Sequence, residues 1–204
     1  MSFWYPCDVP LVLASRSPRR HSILLAAGIP HTVHYPDVEE DNTSGPPESV
    51  VEAHAKMKAS SVADLFPERP VLGADTLVCV GGDVLGKPRT DEEAVAMLNR
   101  LSGRWHEVWG GVCLIWRERG TGFSFAERTL VEFRRLGADE IRAYADSGEP
   151  MDKAGAYGIQ ELGSLLVQRV EGCFFNVMGL PVARLMEEFR SALRDARGST
   201  PAAP

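Results

Sequence analysis

The sequence predicts an α/β fold: a mixed, partly antiparallel twisted sheet flanked by helices, with two lobes around a cleft. Three observations predict it. Apolar runs of strand length alternate with segments whose apolar residues recur at helical spacing. A Gly81-Gly82 pair between two apolar runs marks a hairpin, so the strands cannot all be parallel. The chain has 204 residues, 44% hydrophobic and 25% charged, which is enough for one well-packed domain or two small lobes.

Val9 to Ala14 reads as the first strand, after a loose lead-in. Ser15-Arg16-Ser17-Pro18-Arg19-Arg20 then turns into a helix ending near Gly28. Ser17 suits the N-cap, Pro18 the first turn and Gly28 the C-cap. Two arginines in a helix's first turn oppose its dipole, and an anion bound there would neutralise them. The plainer alternative is a solvated basic helix start. Ile29 to Val38 begins as a strand and runs into the acidic stretch Asp37 to Asp41, which alone reads as a solvated loop. Pro47 to Leu65 has helical spacing at Val50, Val51, Ala55, Ala59, Val62 and Leu65, and carries Lys56 and Lys58.

The central strand is Leu72 to Val80. It places Asp75 among apolar neighbours, where an unpaired carboxylate costs on the order of several kcal/mol. Asp75 is then a functional carboxylate, or a strand-end residue bonded to a loop N–H. Val84-Leu85 returns as the hairpin partner. Thr90 and Glu93 form a capping pattern for a helix from Asp91 to Leu101. His106 to Trp116 and Phe123 to Phe133 are strands, the second half-buried and antiparallel to its neighbour. Asp139 to Asp146 is a short helix, Asp152 to Gln160 a glycine-rich loop, Leu165 to Val170 a strand, and Val182 to Leu193 the last helix. Residues 1–195 form a single domain in this reading and 196–204 a disordered tail.

A net charge of -6 argues against nucleic acid and acidic membrane surfaces as partners. Cys7, Cys79, Cys113 and Cys173 show no CxxC pair and suit free thiols in a reducing cytoplasm. There is no membrane-length apolar run and no signal-peptide pattern at the N-terminus. Gly81 to Lys87 matches the first seven positions of a P-loop, but Pro88 stands where Ser or Thr must hold Mg²⁺.

The remaining polar residues form a chemical set. Arg19, Arg20, Lys58 and Lys87 suit a polyphosphate. Glu40 and Asp75 suit a divalent cation, which takes a few carboxylates, substrate oxygens and water. A carboxylate beside a metal-bound water can also act as general base. Together these describe phosphoanhydride hydrolysis without choosing the bond.

Leu13 to Arg20 resembles the opening motif of the Maf family, first associated with inhibition of septum formation. Leu72 to Thr76, Gly86-Lys87-Pro88, Leu101-Ser102-Gly103, His106-Glu107-Val108, Ser147 to Pro150, Asp152 to Gln160 and Asn176 to Pro181 match further motifs in the same order. The resemblance spans about Val9 to Leu193. It implies an inosine-triphosphatase-like fold and a metal-dependent nucleoside triphosphate pyrophosphatase, using Mg²⁺ or Mn²⁺ and cutting between the α and β phosphates. Carried over, Asp75 is the general base and a metal ligand, Glu40 helps hold the metal, and Ser15, Arg19, Arg20, Lys58 and Lys87 line the phosphate site. Arg19, Thr76 and Gln160 match the branch acting on dTTP and UTP. The expected partner is the nucleotide, with a homodimer left open. Departures are Arg16 in place of a frequent small residue, Trp109-Gly110-Gly111 where Thr-Gly or Thr-Ala is common, and an extended tail. The competing reading is a nucleotide-binding regulator of cell division without important turnover.

Overall fold

The structure, a computed structural model, describes residues 4–38 and 45–198, the side chains of the last two excepted. The chain falls into two compact units built from separate stretches. The first comprises Met1–Asp75, Gly111–Ala126 and Gly179–Pro204; the second comprises Thr76–Gly110 and Glu127–Met178.

In the first unit, β1 (Leu11–Ala14) is fully buried and leads into α1 (Pro18–Ala26), which carries the chain to β2 (His31–His34). β1 and β2 pair in parallel, Leu11 opposite His31. Parallel neighbours need a crossover, and α1 supplies it. β2 is shorter than the predicted Ile29 to Val38. Next comes α2 (Pro47–Ala63), another crossover, and β3 (Val71–Val80), whose first residues pair in parallel with β1. The predicted stripe of α2 is its buried face, and it holds His54 and Lys58 as well as Val50, Val51, Ala55, Ala59 and Val62; Leu65, also predicted, lies past the helix end and is exposed.

Two glycines let α2 lie hard against the strands. A Cβ on Gly73 would sit 2.2 Å from the Ala55 carbonyl oxygen and 2.6 Å from the Ala59 nitrogen. A Cβ on Gly111 would sit 2.0 Å from the Val51 carbonyl oxygen. Neither position admits a side chain.

In the second unit, the later part of β3 pairs antiparallel with β4 (Asp83–Leu85), Val78 opposite Leu85. Gly81 and Gly82 both take positive φ, 61° and 88°, as the hairpin requires. Thr90 caps α3 (Asp91–Leu101), accepting from the Glu93 N–H at 3.2 Å. The reciprocal half of the expected capping box is shifted by one residue: Glu93 accepts from the Arg89 N–H at 2.9 Å.

β5 (Trp105–Trp116) and β6 (Thr121–Phe133) follow, then α4 (Ala138–Asp146). The glycine-rich region is more ordered than predicted and contains three 3-10 helices, Glu149–Asp152, Ala154–Ala156 and Glu161–Leu165. β7 (Val167–Glu171) pairs antiparallel with β6. The core of this unit gathers Leu98 and Leu101 of α3, Ile141 and Ala145 of α4, Val131 and Phe133 of β6, and Tyr157. The strand order is β2-β1-β3-β5-β6-β7, with β4 beside β3. This is the mixed sheet with flanking helices that the sequence predicts.

α5 (Phe174–Met178), too short for a periodic signal, brings in the fully buried Asn176. Its amide donates to the Val108 and Glu127 carbonyls and to Thr129 Oγ1. A Cβ on Gly110 would lie 1.9 Å from Asn176 Oδ1. Gly110 therefore makes room for Asn176, and Gly111 for α2, which accounts for the unusual glycine pair. The last helix, α6 (Val182–Gly198), runs beyond the predicted Leu193 and into the stretch expected to be a disordered tail. All four cysteines are free, Cys79 and Cys113 buried and Cys7 and Cys173 partly exposed. Among the described residues no helix is long and apolar enough to cross a membrane.

Candidate active site

The site is assembled from the C-terminal end of β1, the middle of the neighbouring β3 and the buried face of α2. Ser15 follows β1 and is buried. Its Oγ accepts from the Ser17 N–H at 3.1 Å and from Arg20 Nη1 at 3.1 Å. Ser17 occupies the N-cap position but its side chain makes no capping bond, so the turn is stabilised from Ser15 instead. Arg20 is buried, and its Nε donates to the Gly179 carbonyl at 2.9 Å. Arg20 thereby ties the opening turn to the closing motif through two neutral acceptors. Arg19 is half-buried and Arg16 exposed.

Asp75 is the other centre. It is 5% exposed, yet it is not the lone carboxylate that the strand suggests. Lys58 Nζ donates to Oδ1 at 2.7 Å, and His54 Nδ1 lies 3.0 Å from Oδ2. His54 and Lys58 are one helical turn apart, so α2 presents both to the same carboxylate. Burial pushes the Asp75 pKa up. The His54 hydrogen bond and the charges of Lys58 and Arg20 outweigh it and hold the group at about 2. An ionised carboxylate can only accept, so the proton on that edge of His54 sits on Nδ1.

Ser15, Arg20, Lys58 and Asp75 are thereby brought together within the first unit. His54 was missed in the sequence, although its place four residues before Lys58 was the available signal. Glu40 lies outside the described residues. The ligand chemistry fits a hard divalent cation: among the described residues each oxygen of Asp75 accepts one side-chain hydrogen bond, and a carboxylate oxygen has two lone pairs. Among the described residues no three His, Cys, Asp or Glu side chains gather as ligands. A cation held by one or two carboxylates, phosphate oxygens and water does not need three.

The other predicted residues belong to the second unit. Thr76 is next on β3 and half-buried; Lys87 and Gln160 are exposed. The Gly86 carbonyl accepts from the Gly155 N–H at 3.0 Å, tying the Lys87 turn to the glycine-rich loop. Tyr157 is buried in that loop, with its hydroxyl 2.7 Å from His106 Nε2. Gln160 precedes the third 3-10 helix, and its side chain does not cap it.

Comparison with known proteins identifies the family. A family model described as Maf-like protein matches residues 10–192. A dTTP/UTP pyrophosphatase of Carboxydothermus hydrogenoformans is 48% identical over 180 residues, 88% of this chain and 97% of the relative. One from Moorella thermoacetica is 48% identical over 178 residues, 87% of this chain and 92% of the relative. The structure of a HAM1 protein from Coxiella burnetii superposes with a TM-score of 0.51 at 17% identity, covering 92% of this chain and all of that one. That likeness shows a shared fold. With the family model matching nearly the whole chain, this protein belongs to the Maf-like family.

Proposed function

We propose that this chain is a nucleoside triphosphate pyrophosphatase that hydrolyses dTTP and UTP between the α and β phosphates, giving the monophosphate and pyrophosphate. The observation that carries the chemistry is the buried, ionised Asp75 beside two buried cations, Lys58 and Arg20. The nucleobases come from the relatives, named dTTP/UTP pyrophosphatases at 48% identity over nearly nine-tenths of the chain.

In this reading Arg19, Arg20, Lys58, Lys87 and Ser15 bind phosphate oxygens, and Thr76, Gln160 and Arg19 favour the pyrimidine. Asp75, with Glu40, would hold a Mg²⁺ or Mn²⁺ ion, which when bound polarises the phosphate and acidifies a water. Asp75 accepts a hydrogen bond from the attacking water. At a pKa of about 2 it is a weak proton acceptor while Lys58 is bonded to it. Transfer of the Lys58 ammonium to a phosphate oxygen strengthens Asp75 as a base at the point where a proton must be taken. The enzyme works in the cytoplasm in this reading, where its four free thiols persist.

Purified protein with Mg²⁺ and a panel of dTTP, UTP, CTP, GTP and ATP tests this directly. Pyrophosphate release, fastest with dTTP and UTP, is expected. Tight nucleotide binding without pyrophosphate would favour the regulator reading.

A further inference from the structure

Residues 158–163 are fastened on both sides of Gln160 by one phenol and one carboxylate. The Gly158 N–H donates to the Tyr144 hydroxyl at 3.3 Å. That hydroxyl donates to Glu149 Oε1 at 2.9 Å. Beyond Gln160, the Leu162 N–H donates to Glu149 Oε2 at 3.1 Å and the Gly163 N–H to Oε1 at 3.1 Å. The two ends of the segment nearly touch: a Cβ on Gly163 would lie 1.9 Å from the Gly158 carbonyl oxygen. Gln160 is left exposed between them, followed by Glu161 at φ 55°, a left-handed conformation unusual for a residue with a side chain.

All of this lies within the second unit. A surface loop needs no such fastening to fold back on itself. A glutamine that reads a base does. Its amide offers one acceptor and two donors, and the place of its backbone sets which atoms of a base the amide can reach. Uracil and thymine present O4 as acceptor and N3–H as donor, while cytosine presents an amino group and a bare N3. A mobile glutamine satisfies both patterns; a held one rejects the wrong one, because polar groups are left unpaired.

We infer that Glu149 and Tyr144 are positioning residues that set the place of Gln160 and, through it, the choice of dTTP and UTP over CTP. The inference rests on the proposed pyrophosphatase activity and on Gln160 as base reader. Neither Glu149 nor Tyr144 touches the nucleotide in it.

The test uses the full chain with Glu149→Gln and Tyr144→Phe. An amide nitrogen in place of a carboxylate oxygen faces N–H donors that it cannot accept from, and Phe removes the link to Gly158. The ratio of kcat/KM for UTP to that for CTP is expected to fall by roughly tenfold in Glu149→Gln, the scale of one lost positioning hydrogen bond. Tyr144→Phe should move it in the same direction, and kcat with UTP should fall less than the ratio does. Amide exchange across 158–163 should quicken in both. Adding Gln160→Ala to Glu149→Gln should change the ratio little further, since both act through one side chain. If the wild type prefers UTP and the ratio survives while the segment loosens, the inference is wrong and the functional reading stands. If the wild type releases no pyrophosphate or shows no preference, the functional reading falls and takes the inference with it. Should Glu149→Gln fail to fold, Tyr144→Phe decides the matter by the same ratio.

Discussion

At the scale of single residues, Asp75 is held by two donors from one helix turn. Asp75→Asn keeps the shape and removes the charge. Pyrophosphate release should drop on the order of 10²–10⁴-fold, the usual worth of a positioned proton acceptor. The fold should also weaken by about 3 kcal/mol, because the buried Lys58 loses its counter-charge. Turnover and denaturant unfolding of the same variant measure the two effects. Acid should act on two groups in separate windows. Burial, opposed by a weaker backbone hydrogen bond, pushes the His106 pKa from 6.5 down to about 4. Its unfolded form takes the proton first, so about 3 kcal/mol of stability present above pH 6.5 is lost as pH falls through 4. Asp75, lowered from 3.8 to about 2, contributes about 2 kcal/mol above pH 3.8, which is lost as pH falls through 2. Denaturation midpoints should therefore fall in two steps, and His106→Gln should flatten only the upper one. Asp75 could be picked out in the sequence because a carboxylate in an apolar strand is conspicuous. Its partners could not, since spacing puts His54 and Lys58 on one face without saying which strand that face meets. Arg20 was harder still, because its carbonyl partner is 159 residues away.

At the scale of elements, the approach of α2 to the strands sets the site. Gly73→Ala would drive a methyl group into the Ala55 carbonyl, so α2 must move or the strand must bend. We expect a loss of about 3 kcal/mol or more, at the upper end of overpacking costs, in chemical denaturation. Turnover should fall with it, because displacing α2 draws His54 and Lys58 from Asp75. An unchanged midpoint would show that the helix contact is looser than drawn. Capping and end residues were a sound guide to α1, α3 and α4, periodicity to α2, and the glycine pair to the β3–β4 hairpin. The three 3-10 helices were not legible; the third, for instance, is held by Glu149, which accepts from its Leu162 and Gly163 N–H groups from another element. α6 outran its apolar pattern because Arg194, Asp195 and Ala196 propagate a helix without adding to its buried face.

At the scale of the whole molecule, β3, β5 and β6 each begin in one unit and end in the other. No linear reading could find units that draw residues 111–126 and 179–204 back to the N-terminal stretch. The residues proposed for phosphate chemistry fall in the first unit, Lys87 excepted; Thr76 and Gln160 fall in the second. The free thiols divide the same way. Cys7 and the buried Cys113 belong to the first unit, Cys173 and the buried Cys79 to the second. Burial pushes the Cys113 thiol up to about 11, which withholds the reactive thiolate. A thiol-reactive dye should therefore label Cys173 in the native protein, Cys7 more slowly because burial raises its thiol too, and the other two only after unfolding, as counted by mass spectrometry. The natural chain then carries one fluorophore handle per unit, and energy transfer between them would follow the distance from one to the other as a nucleotide is added, with no residue engineered.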